Sequence, residues 1–236
     1  MQDNSTHENS GGFLNSAERK KARMNGADAI TTAAYNLLIG GVLLYGFIVN
    51  ALIVFFGGEA LVYYIADHYA GFIILYFILC FTGIFISARS TKPLVSFLGY
   101  NLVVVPIGAV VTVSVMGAYT ADILLAIIIT GAITAIMTFL GATFPRTFAK
   151  MGRALFISLI VYIIVRAIAM LFGYSGGIFD WIASGIFTLY IAYDWQKAQM
   201  FPKTVDNAVD CALDLYLDII NLFLRILRIL SRNRKN

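Results

Sequence analysis

The chain has 236 residues, of which 60% are hydrophobic and only 13% are charged, and its formal net charge is +4. A soluble domain carries about 25% charged residues. No charged residue lies between Asp28 and Glu59 or between Lys92 and Asp122, and each interval exceeds the roughly 20 apolar residues that cross a bilayer as a helix. The composition excludes an ordinary soluble domain, and the chain carries no nucleic-acid-binding motif.

The apolar residues form seven segments that follow a polar amino-terminal tail. The tail, residues 1–31, is predicted to be disordered and cytoplasmic, and residues 231–236 form a short basic tail. Long apolar segments without alternation predict helices, and hence an all-α, polytopic membrane helix bundle over residues 32–230. The predicted segments are residues 32–56, 69–88, 94–115, 123–144, 154–172, 178–193 and 205–230.

The loops between these segments alternate in charge. Basic residues lie before the first segment and after the second, fourth and sixth, and acidic residues follow the first, third and fifth. Because basic loops stay in the cytoplasm, we expect a cytoplasmic amino terminus. Arg232, Arg234 and Lys235 break the pattern, since seven spans would place them outside. Either the last segment is re-entrant or the earlier segments fix the topology, and we favour seven spans.

The last segment carries a stripe of aspartates. Asp210, Asp214 and Asp218 recur every four residues, so they share one face of a helix. Asp218 lies among leucine and isoleucine, where a carboxylate facing lipid would cost several kcal/mol, so it should face the protein interior or water. We interpret Asp206 and Asp210 as the solvated start of the helix, favoured by the helix dipole.

Asp194 ends the sixth segment and is the predicted partner of this stripe. A short loop joins the sixth and seventh segments, so they should be antiparallel neighbours, with Asp194 close to the seventh. Two carboxyl groups in one partly desolvated site cannot both ionise easily, and such a pair could hold a proton near neutral pH. Its oxygens would also suit calcium, although the physics alone does not select that ion.

Two arginines could pair with these carboxyl groups. Arg89 lies at the cytoplasmic end of the second segment, on the predicted side of Asp194, but a role in topology explains it equally well. Arg166 lies inside the fifth segment, where the alternative is a side chain that reaches the outer interface.

Two stretches carry a family resemblance. GIFTLYIAYD, ending at Asp194, and ALDLYLDIINLFLRIL, containing Asp214 and Asp218, resemble the Bax inhibitor-1/YccA family, also called the transmembrane Bax inhibitor motif family. The resemblance implies a seventh helix surrounded by six others. It also implies a calcium leak through a pore whose cytoplasmic side carries a pH-sensitive pair, Asp194 and Asp218, with Asp214 ranked second. Arg89 is the nearest equivalent of an arginine that bridges to the pair in some members.

The resemblance also sets the expected surroundings of the chain. It implies a multi-pass protein in a bilayer, in the bacterial plasma membrane, with calcium as a permeating ion bound at Asp194 and Asp218 and with no other cofactor. Some relatives resemble regulators of a membrane-anchored AAA protease, which the tail sequence ERKKAR could contact. An intramembrane aspartyl protease would need Gly-x-Gly-Asp, whereas LYL precedes Asp218, and no HExxH motif is present. We therefore expect no enzymatic activity.

Overall fold

The computed structural model describes residues 29–174 and 176–234, and over these ranges the chain is all-helical. Most of the predicted tail at residues 1–31 and the last two residues lie outside the described residues. Eight helices are described: α1 (Thr32–Asp67), α2 (Tyr69–Arg89), α3 (Pro93–Met116), α4 (Thr120–Thr143), α5 (Pro145–Ala149), α6 (Gly152–Leu171), α7 (Ile178–Met200) and α8 (Val205–Asn233).

The observed helices differ in length from the predicted segments. The first segment was predicted to end at residue 56, but α1 continues to Asp67 across a kink at Gly58, where φ is 43° and ψ is −140°. Glycine tolerates this backbone conformation, so the helix bends there rather than ending. The short helix α5 was not predicted, and it begins with Pro145 at its first turn, a position that proline favours.

Five of the helices are long and apolar enough to cross a membrane: α1, α2, α3, α4 and α6. The two helices that carry the aspartate site, α7 and α8, are not among them, so the predicted number of seven spans is not confirmed. The multi-pass membrane character rests on the five apolar helices. Many of their large apolar side chains are exposed, and a bilayer would cover them.

Helix α8 is the core of the bundle. It packs against α1, α3, α4 and α7, and most of its side chains are buried, including several that are polar. A helix enclosed in this way can carry carboxyl groups only where neighbouring helices supply hydrogen bonds or charges. The enclosure of α8 agrees with the central last helix that the family resemblance implies.

Contacts at its two ends show that α8 runs along the whole bundle. Near its start, Ser96 at the beginning of α3 donates to Asp206 at 2.7 Å. Beyond its end, Arg234 lies 3.0 Å from Asp122, which begins α4. Since α3 ends just before α4 begins, these two contacts lie at opposite ends of the bundle. Helix α8 therefore extends from one end of the bundle to the other, and the choice between a full span and a re-entrant segment stays a prediction.

Candidate functional site

The site centres on two carboxyl groups that meet between α7 and α8. Asp194 is 8% exposed and Asp218 is 6% exposed, and the two carboxyl groups lie close enough to interact directly. An ionised carboxylate can only accept hydrogen bonds. A hydrogen bond between the two would therefore require one of them to carry a proton, and we predict this state for the buried pair.

Lys197 links this pair to a third carboxyl group. Its ammonium donates to Asp214 Oδ2 at 3.2 Å and lies 3.6 Å from Asp194 Oδ1. Lys197 follows Asp194 by one turn of α7, and Asp214 precedes Asp218 by one turn of α8, so the four side chains form one cluster across the interface. We name Asp194, Lys197, Asp214 and Asp218 the carboxyl cluster. Sequence reasoning considered Lys197 only for topology, although its i, i+3 spacing from Asp194 is a signal for an ion pair.

The first two aspartates of α8 are buried rather than solvated. Asp206 and Asp210 are both buried, and Ser96 and Ser87 respectively donate hydrogen bonds to them. The interpretation of a solvated helix start is wrong because α2 and α3 supply these serines at the beginning of α8. Asp206 and Asp210 therefore lie inside the bundle, as Asp218 does, whereas Asp214 is partly exposed.

The turn between α7 and α8 is fixed by hydrogen bonds. Lys203 donates to the carbonyl oxygens of Ala198 and Gln199, at 3.2 and 2.7 Å, and so satisfies acceptors at the end of α7. Burial lowers the pKa of the Lys203 ammonium, and the nearby Cys211 opposes this shift. Tyr35 from α1 donates to the Ala198 carbonyl at 3.1 Å. Lys203 in the turn and Tyr35 of α1 together fix the end of α7. The carboxyl cluster depends on the register of α7 against α8 that this turn sets.

Helix α4 fixes α7 from its other side. Gly141 lies so close to α7 that a Cβ atom there would stand 2.5 Å from the Ala192 carbonyl oxygen. Ala192 is two residues before Asp194, so this backbone contact sets the position of the aspartate. Only glycine allows two helices to approach this closely at that point.

Comparison with known proteins agrees with this architecture. The family model described as "Inhibitor of apoptosis-promoting Bax1" matches residues 28–235. The chain belongs to the Bax inhibitor-1 family.

Three relatives show the extent of the likeness. An uncharacterised protein of Helicobacter pylori is 38% identical over 87 residues, which are 35% of this chain and 36% of that protein. The BI1-like protein of Arabidopsis thaliana is 36% identical over 113 residues, 47% of this chain and 43% of that protein. Bax inhibitor 1 of Saccharomyces cerevisiae is 42% identical over 72 residues, 28% of this chain and 24% of that protein. The chain thus spans less than half the length of these curated relatives.

The two arginines named as possible partners lie elsewhere in this member of the Bax inhibitor-1 family. The Arg89 side chain is exposed, with its guanidinium 4.0 Å from the centre of the Phe85 ring. Arg166 lies 5.1 Å from the centre of the Phe179 ring. Among the described residues, no ion pair joins either arginine to an aspartate. The cation beside the pair is Lys197, because its position on α7 brings it to Asp194 without crossing to another helix.

The carboxyl cluster is a poor cage for a resident metal. Calcium takes six to eight oxygen ligands, yet over residues 29–174 and 176–234 no group of three or more acidic, histidine or cysteine side chains could hold a metal ion. The Lys197 ammonium lies between Asp194 and Asp214 and would repel a divalent cation. A calcium site at Asp194 and Asp218 remains a prediction.

Proposed function

We propose that this chain is a pH-sensitive cation leak channel, with calcium as the permeating ion, in which the Asp194–Asp218 pair controls passage. The observation that carries the proposal is the burial of two interacting carboxyl groups, Asp194 and Asp218, between α7 and α8. Ionisable side chains buried in membrane bundles mark ion pathways and proton relays. The calcium selectivity rests on the family resemblance.

Loss of the shared proton would change the α7–α8 contact directly. With one carboxyl group protonated, the carboxyl cluster carries three acidic groups, one proton and one ammonium, and its net charge is −1; without the proton it is −2. Two carboxylates about 4 Å apart repel by about 4 kcal/mol at an effective dielectric constant of 20. The pair therefore holds α7 to α8 at low pH, and this hold is lost as the pH rises.

The rest of the stripe supports a route for a cation. Asp206, Asp210, Asp214 and Asp218 place carboxylate oxygens at one-turn intervals along α8, and conduction needs several weak sites rather than one strong site.

A cavity next to the pair supports a closed conformation. It has a volume of about 760 Å³ and lies between α1, α3, α4 and α8. Ile219 and Ile220, which follow Asp218, are in its wall, and nearly all of the lining is apolar. An apolar passage opposes a hydrated ion and can gate by excluding water. Movement of α8 after proton loss would change the wall of this cavity.

Calcium flux into proteoliposomes tests the proposal. We expect the wild-type flux to change with pH, and Asp218→Asn to flatten this dependence because an amide cannot share an acidic proton. Asp67→Asn is the matched control, since Asp67 is exposed and distant in sequence. A D218N variant with wild-type flux and wild-type pH response would contradict the proposal.

A second proposal is a binding role towards a membrane-anchored AAA protease, carried by the basic sequence ERKKAR of the amino-terminal tail. Deleting residues 1–26 should then abolish copurification with the protease and leave calcium flux intact. Loss of flux together with binding would show that the deletion disturbs the membrane domain. The absence of enzymatic activity stays a prediction.

A further inference from the structure

Three arginines of α8 converge on a single buried carboxylate. Asp180, near the start of α7, is 1% exposed. Arg225 and Arg228 lie 3.3 and 3.1 Å from its Oδ1 atom, and Arg232 lies 3.2 Å from its Oδ2 atom. The three arginines follow one another at helical spacing, so one face of α8 presents them all to α7.

One carboxylate cannot neutralise three guanidinium groups. No second carboxylate of the described residues forms an ion pair with these arginines, so the group has an excess of two positive charges. Arg234, the next arginine of the chain, is paired one-to-one with Asp122 at 3.0 Å. The excess charge is thus confined to the group around Asp180, and a partly desolvated excess of this kind needs a counter-charge.

The exposed part of this group is cationic. The Asp180 carboxylate is enclosed, whereas the side chains of Arg228 and Arg232 are 44% and 36% exposed. Arg232 passes over Gly177, where a Cβ atom would overlap its guanidinium. An anion arriving from outside would therefore meet two guanidinium groups and no acidic oxygen.

The surroundings place these arginines at a membrane surface. Leu171 and Phe172 at the end of α6, and Ile178 and Trp181 at the start of α7, are all exposed. Large apolar side chains in such a position are covered by lipid, and tryptophan is enriched where hydrocarbon meets the headgroups. A bilayer that covers these side chains would place its lipid phosphates near Arg228 and Arg232.

We propose that Arg228 and Arg232 bind the phosphate of an anionic membrane lipid. Guanidinium groups bind phosphate oxygens through paired hydrogen bonds, and an anionic lipid supplies the missing negative charge together with acyl chains for the apolar side chains around it. Arg228 is ten residues beyond Asp218, about 15 Å along the helix. The lipid site is therefore separate from the carboxyl cluster and does not depend on the proposed channel activity.

Native mass spectrometry of the full chain, released from detergent with added lipid, tests this site. The wild type should retain one phosphatidylglycerol in preference to phosphatidylcholine. The double variant R228Q/R232Q should bind phosphatidylglycerol about 30-fold more weakly, the effect of removing two positive charges near a membrane surface. The matched control R234Q, whose arginine is already paired with Asp122, should retain the lipid as the wild type does.

A competition with free phosphate and a single variant distinguish the remaining outcomes. Millimolar inorganic phosphate should not displace the lipid, and displacement would identify a free anion as the ligand and overturn the lipid assignment. If the double variant does not fold, the single variant R228Q, which changes the more exposed arginine, should bind about fivefold more weakly. Equal phosphatidylglycerol retention by the wild type and a folded R228Q/R232Q or R228Q variant would overturn the proposal.

Discussion

The Lys197 ammonium donates to the Asp214 carboxylate at 3.2 Å and so joins α7 to α8. The same ammonium lies 3.6 Å from Asp194, so it balances part of the charge next to the proton-sharing pair. A cation at this distance favours the ionised form of a carboxyl group. If the Asp194–Asp218 pair shares a proton as proposed, Lys197 would lower the pH at which that proton is lost.

Replacing this lysine should move the pH response. In Lys197→Met the ammonium is gone, and the carboxyl groups hold their proton more tightly. We expect the midpoint of pH-dependent calcium flux to shift by about one unit towards higher pH. Lys150→Met is the control, because Lys150 is exposed in the loop after α5. A midpoint that moves equally in both variants, or in neither, would exclude this role for Lys197.

Removing the carboxylate beneath three arginines should destabilise the bundle. Asp180→Asn leaves Arg225, Arg228 and Arg232 without their common partner, and we expect a loss of about 2–3 kcal/mol in the free energy of unfolding. Asp122→Asn is the comparison, because Asp122 is also buried but has a single ion-pair partner, Arg234, whose side chain is 48% exposed and stays hydrated when the partner is lost. The loss there should be smaller, about 1 kcal/mol. Chemical denaturation in detergent micelles measures both. Equal losses would show that the convergence on Asp180 has no energetic consequence.

The serine that donates to Asp210 should matter more than a serine that bonds only within its own helix. In Ser87→Ala a buried carboxylate loses one hydrogen-bond donor, and the free energy of unfolding should fall by about 1–3 kcal/mol. Ser114 donates to the Val110 carbonyl oxygen of α3, so Ser114→Ala is a matched control with little expected effect. If the two variants are equally stable, Asp210 does not depend on Ser87.

Two glycines of α4 allow a test of the contact that positions Asp194. Alanine in place of Gly131, which has open space around it, should stabilise α4 by up to about 1 kcal/mol through helix propensity. Alanine in place of Gly141 should instead destabilise by about 1–3 kcal/mol, because its methyl group would press against Ala192. Thermal unfolding in detergent distinguishes them, and a stabilising Gly141→Ala would refute the close approach of α4 and α7.

The helical segments and the enclosure of Asp218 could be predicted from the sequence alone. Long intervals without charge leave few alternatives to apolar helices, and a carboxyl group among leucine and isoleucine has to be enclosed. Hydropathy also led to the correct start of α8 at Val205. These features depend on neighbours in the chain, which a single sequence displays.

The contacts of the site depend on residues far apart in the chain. Asp210 appeared solvated because nothing near it in the sequence indicates Ser87, 123 residues earlier. The position of Arg89 at a cytoplasmic helix end suggested a partner for the pair, whereas Lys197, one turn from Asp194, is the cation in contact with it. Nothing near Arg232 and Arg234 in the sequence indicates that they pair with Asp180 and Asp122 at one end of the bundle.

The central claim is that Asp194 and Asp218 share one proton that is released as the pH rises. Infrared titration of the carboxyl C=O absorption in reconstituted protein measures this proton directly. The account predicts a protonated-carboxyl band in the wild type that disappears with rising pH, over the same range in which calcium flux changes, and that is absent in D218N. A wild-type spectrum without such a band, or an identical titration in D218N, would contradict it.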